Sequence, residues 1–172
     1  MTETILRRAT ADDASKLALL GAATFLVAFA SDHPGDALVD HTALEHSAGR
    51  YAGWLTRPDY AFWLIETPLG APIGYAMICP PELDITPDPQ SLELKRIYTL
   101  PGWQSAGLGQ KLIEAAIAEA RERGATTLYL CVYQVNVNAQ RFYARHGFEK
   151  VGQQQFMTGD VPFTDWILRK RL

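Results

Sequence analysis

The spacing of apolar positions along this chain changes several times, and the changes mark its elements. Residues 4–8 read as a short strand. Thr10-Ala11-Asp12-Asp13 then predicts a helix start, with Thr10 able to cap the first free N–H groups and two aspartates at the positive end of the helix dipole. Leu17, Leu20, Gly21, Thr24, Phe25 and Ala28 recur at helical spacing until Ser31-Asp32-His33-Pro34-Gly35-Asp36 breaks the run. A second helix is predicted over about 42–55, with Leu44, Ala48, Tyr51, Ala52 and Leu55 on one face and Arg57-Pro58-Asp59 ending it. Two β-type runs, 61–66 and 73–79, flank Thr67-Pro68-Leu69-Gly70-Ala71-Pro72 and predict a hairpin.

A proline-rich loop over 80–90 leads into a strand over 92–100, which Pro101 stops. A helix follows over about 108–123, with Leu112, Ala116 and Ala120 beside Ile113 and Ile117 as its apolar stripe and Gly124 as its stop. In 126–133, Leu128, Leu130 and Val132 face one way and Tyr129, Cys131 and Tyr133 the other. Both faces are largely apolar, so this strand belongs in the middle of a sheet. Asn136 or Asn138 caps a short helix that Gly147 ends, and 149–156 with 165–171 form a last hairpin. The order β-α-α-β-β-β-α-β-α-β-β describes an α/β domain with a mixed sheet. Without repeat, low-complexity tract or linker, 1–172 reads as one domain.

Composition narrows the classes. The chain has 172 residues, 48% of them hydrophobic and 20% charged, which suits a globular fold and excludes disorder, collagen and coiled coil. A domain of this size buries roughly 70% of its unfolded surface and needs neither metal nor disulfide to hold it. The net charge of −3 argues against a nucleic-acid partner. Cys79 and Cys131 each sit in an apolar run and read as buried, inert thiols. His33, His41, His46 and His146 stand apart from any metal-ligand spacing, so no metal site is expected. The apolar stretch 18–30 is too short to span a bilayer, and the start of the chain lacks a signal-peptide pattern, so the cytoplasm is the expected compartment.

Three segments carry candidate chemistry. Gln104-Ser105-Ala106-Gly107-Leu108-Gly109 joins a strand to a helix, where successive backbone N–H groups and the helix dipole can cradle phosphate oxygens. The same segment is also compatible with a plain glycine-rich turn. It is not a P-loop, since Leu108 and Gly109 stand where Lys and Ser/Thr are needed. Nor is it a dinucleotide fingerprint, since Leu112 takes the third glycine's place. In the preceding strand the inward parity switches from Leu92 and Leu94 to Ile97 and Thr99, so a β-bulge is predicted at Lys95-Arg96. Third, Ala139, Phe142 and Tyr143 form one face of the capped helix, which read alone is a core face.

Taken together, 94–109, 130–132 and 136–148 resemble the GNAT superfamily of acyl-CoA-dependent N-acetyltransferases. The family loop, Gln/Arg-x-x-Gly-x-Gly/Ala, is met by Gln104, Gly107 and Gly109. Its next strand and helix read Leu-x-Val-x-x-x-Asn-x-x-Ala-x-x-Phe-Tyr-x-x-x-Gly-Phe. Leu130, Val132, Asn136, Ala139, Phe142, Tyr143, Gly147 and Phe148 match each fixed place. Trp103 departs from the aromatic that many members carry there.

The resemblance implies a single-domain fold over 1–172 with a mixed, mostly antiparallel sheet of about seven strands and about four helices. It implies acetyl transfer from acetyl-CoA to a primary amine of a small molecule or peptide by direct attack. The alternative is a coenzyme-A-binding sensor or inactive module. The coenzyme pyrophosphate would lie on the backbone of Gln104, Ser105, Ala106, Gly107, Leu108 and Gly109, with Lys111 and Arg96 offsetting its charge. Its pantetheine arm would pair with Ile97, Tyr98 and Thr99, and Asn136 would add a contact. Tyr143 takes the role of acid to the leaving thiolate. Glu93 is the candidate base, with a solvent-facing strand residue as the plainer reading. The acceptor would enter among the first two helices, the loops 31–40 and 80–90, and the carboxylates Asp32, Asp36, Asp40, Asp84 and Asp88. Neither nucleic acid nor membrane is an expected partner, and the chain is expected to act as a monomer or homodimer.

Overall fold

A computed structural model of the chain describes residues 3–104 and 107–172. Its elements are β1 (Ile5–Arg8), a 3-10 turn (Ala11–Asp13), α1 (Ala14–Phe29), α2 (Gly35–Glu45), α3 (Ala48–Leu55), β2 (Ala61–Glu66), β3 (Pro72–Cys79), β4 (Ser91–Thr99), α4 (Leu108–Glu122), β5 (Thr127–Tyr133), α5 (Val137–Arg145), β6 (Glu149–Thr158) and β7 (Val161–Arg171). The strands make one sheet in the order β1-β2-β3-β4-β5-β7-β6. Every neighbouring pair is antiparallel except β4 with β5. The mixed sheet and the central place of β5 follow the sequence reading.

Alternation sorts the strand residues into two cores, one on each face. Trp63, Ile65, Ala76, Ile78 and Leu130 pack with Leu112, Ile113 and Ala116 of α4. Phe62, Leu64, Tyr75 and Met77 pack with Leu17 and Leu20 of α1 and Tyr51 of α3. All six residues of β2 are buried, as a strand covered on both faces requires.

The helix predicted over 42–55 is two helices. α2 ends at His46, and the Ser47 side chain accepts from the Arg50 N–H at 3.2 Å to start α3. Residues 35–40, expected in a loop, are the first turns of α2. Pro34 precedes them, a position where a missing N–H costs nothing. At the start of the chain Asp13 is the anchor: its carboxylate accepts from the Thr10 N–H at 2.8 Å and from both Arg7 guanidinium ends at 2.7 and 2.8 Å. Arg7 also reaches Glu66 at 2.7 Å, and Lys16 joins Glu66. This network ties β1, α1 and β2 together.

One helical glycine is fixed by what lies against it. A Cβ on Gly21 would collide with His46 Nδ1 and the Tyr51 hydroxyl, which already share a 3.0 Å hydrogen bond. Overpacking costs about 1–3 kcal/mol, and the helix-propensity gain of alanine returns no more than about 1 kcal/mol. Gly21→Ala should therefore lower the melting temperature by about 2–4 °C per kcal/mol lost. A variant that melts no lower than the parent would show that the His46–Tyr51 pair yields freely.

Candidate active site

The parallel ladder between β4 and β5 covers only Ser91, Leu92 and Glu93 against Thr127, Leu128 and Tyr129. The cause lies in β4. On its other side Arg96 faces Met77 while Leu94 faces Ile78, so Lys95 is the inserted residue. The predicted bulge is there, and it turns β4 away from β5. Beyond it, the β5-facing backbone edge at Ile97, Tyr98 and Thr99 is left without a ladder partner. A cavity of about 810 Å³ occupies the gap.

At one side of this cavity stands the start of α4. Gly107 holds the left-handed conformation at φ 70°, which a side chain would strain. The first intrahelical bond runs from the Lys111 N–H to the Gly107 carbonyl, so the N–H groups of 108–110 precede it. Gln104, Gly107 and Gly109 line the cavity, as do Ile97, Tyr98, Thr99, Asn136 and Tyr143. Leu108 does not; its side chain is in the core beside α4. Ser105 and Ala106 lie outside the described residues.

α5 forms the next wall. The Asn136 side-chain oxygen accepts from the Ala139 N–H at 3.1 Å, so Asn136 is the cap. Tyr143 is buried, with its ring edge-on to Phe142 and Phe148. Burial, with Tyr98 nearby, pushes its hydroxyl well above the ordinary tyrosine range. The hydroxyl makes no hydrogen bond among the described residues.

Several candidates sit elsewhere than expected. Glu93 is 2% exposed, neither solvent-facing nor on the cavity wall. It accepts from the Glu82 N–H at 2.8 Å and lies 3.4 Å from Lys95 Nζ, and burial raises its carboxyl. Lys95 itself lines the cavity. Arg96 also lines it, but its guanidinium turns toward α3, donating to the Tyr51 hydroxyl at 3.1 Å and lying over Trp54, not toward the glycine loop. Lys111 is exposed and off the wall. Cys131 is half-buried on the cavity wall, and burial pushes its thiol up to about 12.

Of the aspartates read as acceptor ligands, Asp32 lines the cavity and Asp36, Asp40, Asp84 and Asp88 do not. Asp32 accepts from the Tyr133 hydroxyl at 2.9 Å, and its other oxygen lies 2.8 Å from His33 Nδ1. His33 stacks on Phe163 at 3.6 Å between ring centres. Periodicity placed none of these groups together, because they come from the turn after α1, from β5 and from β7. The sequence signal for Tyr133 was present but weak: an aromatic at the end of a central strand.

Sequence comparison shows the family, and solved structures share the fold. The sequence model of the acetyltransferase (GNAT) family matches residues 24–148. An uncharacterised N-acetyltransferase of Mycobacterium tuberculosis is 32% identical over 160 residues, covering 93% of this chain and 98% of that protein. Among solved structures, the PaiA N-acetyltransferase of Thermoplasma acidophilum in complex with coenzyme A has a TM-score of 0.81 at 17% identity, over 99% of each chain. YncA, an acetyltransferase of Salmonella typhimurium with acetyl-CoA, has a TM-score of 0.77 at 19% identity, over 99% of this chain and 95% of that one.

Proposed function

The chain belongs to the GNAT family of acetyltransferases, and from that premise we propose that it carries the acetyl group of acetyl-CoA to a primary amine by direct attack within the β4–β5 gap. The observation that carries this reading is the coincidence of three features on one cavity: the bulge-freed edge of β4, the free N–H groups at the start of α4, and Tyr143. The donor set suits the co-substrate. The N–H groups of 108–110, with Gln104 and Gly107, would take the pyrophosphate oxygens. The edge at Ile97, Tyr98 and Thr99 would pair with the pantetheine amides, and Asn136 would close the far side.

An alkylamine with a pKa of about 10.4 is neutral in only about one molecule in 2,500 at pH 7, equivalent to roughly 4.6 kcal/mol. A carboxylate beside the amine offsets that cost by taking its proton. Glu93 reaches the cavity only through Lys95, so in this reading it holds Lys95 in place rather than touching the amine. Tyr143, kept protonated by burial, faces the leaving sulphur. The protein works as one N-acetyltransferase domain in the cytoplasm, where its two free thiols stay reduced. Among the described residues, no helix is long and apolar enough to cross a membrane.

Thiol release from acetyl-CoA against a panel of primary amines tests the activity. Acetyl-CoA binding with no release for any amine would favour the coenzyme sensor instead. Gly107→Val tests the phosphate site. Among the described residues, its chain neighbours aside, a Cβ there meets no atom within 4 Å, so its effect comes through backbone conformation and ligand approach. Calorimetry should show acetyl-CoA affinity reduced at least about tenfold, equivalent to about 1.4 kcal/mol. Unchanged affinity in the folded variant would place the phosphates elsewhere.

A further inference from the structure

Asp165 lies on β7 directly opposite Tyr133 of β5, on the sheet face that also carries Cys131. Cys131 and Tyr133 both line the cavity; Asp165 is not itself on its wall but stands beside Tyr133 on the same face. It is half-buried, and its carboxylate makes no hydrogen bond or ion pair among the described residues. The titratable groups near it are His33 from the turn after α1, Cys131 and Tyr133 from β5, and Tyr98 from β4. Its register partner on β6, Gln154, is uncharged. Burial raises the Asp165 carboxyl to about 6, with His33 drawing it back.

The other carboxylates near the cavity are already engaged. Asp32 uses both oxygens on His33 and Tyr133, and Glu93 is tied to Lys95 and the Glu82 N–H. Of the three, Asp165 alone has a carboxylate with no hydrogen bond or ion pair among the described residues. Phe29 and Tyr133 line the cavity on this side, their rings 6.1 Å apart.

We propose that Asp165 receives the ammonium group of the acceptor and takes its proton, and that the acceptor is a primary amine carried on an aromatic or apolar group. The inference rests on the acetyltransferase reading above. Two protons leave the nitrogen in the reaction. The first passes from the ammonium to the Asp165 carboxylate and on to solvent, which frees the nitrogen pair. As the C–N bond forms and the C–S bond breaks, the nitrogen loses its second proton. The sulphur takes one from the Tyr143 hydroxyl, and the nitrogen's proton restores that hydroxyl. The products are the amide and the free thiol.

The test uses 2-phenylethylamine as the probe acceptor, with Asp165→Asn and the exposed Asp160→Asn as its control on the same hairpin. In the parent, kcat/KM should rise with pH to a plateau above the Asp165 titration, near pH 6. Asp165→Asn should lose that limb, fall about 100-fold at pH 7.5 and recover as the amine deprotonates unaided at alkaline pH. Asp160→Asn should follow the parent. A raised folded pKa means that stability is greatest below the unfolded value and is lost as pH climbs through about 6. The Asn variant should hence melt at or above the parent temperature at pH 7.5, which a merely structural carboxylate would not show. In the coenzyme A complex, the ¹³C resonance of the Asp165 carboxyl, identified by its loss in the variant, should move when 2-phenylethylamine is added.

An acidic limb that survives in Asp165→Asn, or a variant that melts well below the parent, overturns the proposal. So does a protein that binds acetyl-CoA yet shows neither turnover nor a carboxyl shift with this amine. Failure to bind acetyl-CoA overturns the underlying function.

Discussion

Tyr143→Phe is expected to lower kcat on the order of 100-fold while leaving acetyl-CoA affinity and the melting temperature nearly unchanged. The substitution removes one oxygen and keeps the ring against Phe142 and Phe148. That oxygen has no hydrogen-bond partner among the described residues, so its loss strands no protein group. In the proposed reaction, what it removes is the proton for the departing thiolate. Burial keeps the phenol protonated across the working pH range. The same weakly polar surroundings disfavour a bare thiolate leaving group, which makes a proton donor valuable there. An acyl donor whose thiol has a low pKa leaves without help and should lose much less rate in the variant. Stopped-flow thiol release with the two donors measures the difference. Equal losses, or full activity, would return Tyr143 to a packing role.

Arg7→Met should cost about 2–3 kcal/mol in urea unfolding at pH 7. Asp13 and Glu66 have side chains 6% and 7% exposed, and Arg7 bridges them. Without it, Glu66 keeps Lys16, but Asp13 retains only the Thr10 N–H and hydroxyl. The pH signature separates this from lost packing. The Arg7 guanidinium holds the Asp13 carboxyl at about 2, below its unfolded value of about 3.8. A lowered carboxylate contributes stability that is present above the unfolded pKa and lost as pH falls through the folded one. The gap between parent and variant should be full at pH 5 and shrink between pH 4 and 2. A gap that stays constant down to pH 2 would mean that methionine fails by shape rather than by charge.

Much of the fold was legible along the chain because it depends on local pattern. The apolar runs at β2, β3 and β5 and the stripe of α4 each announce an element. The parity switch in β4 located the bulge at Lys95, since one extra residue must flip every later side chain. The glycine turn before α4 and the face of α5 that carries Tyr143 were legible for the same reason: their residues are neighbours in sequence. The break between α2 and α3 was not, because His46 and Ser47 interrupt a helix whose apolar spacing runs on without a fault. That break is set by Tyr51 and His46 meeting across the face of α1 at Gly21.

The proposed acceptor end was decided only by the tertiary structure. Along the chain Asp32 is one of five candidate aspartates, Tyr133 a strand aromatic and Asp165 a residue of the last hairpin, separated by about a hundred residues or by a hairpin. Pairing β5 with β7 brings Tyr133 opposite Asp165, and the turn after α1 brings Asp32 onto Tyr133. Glu93 shows the converse. Its sequence neighbours on β4 suggested an open strand, but the loop after β3 folds over it and removes it from water. Local spacing determines which residues share a face of one element. What each carboxylate can do chemically depends on burial and on competing hydrogen bonds, which come from elements far away in the chain.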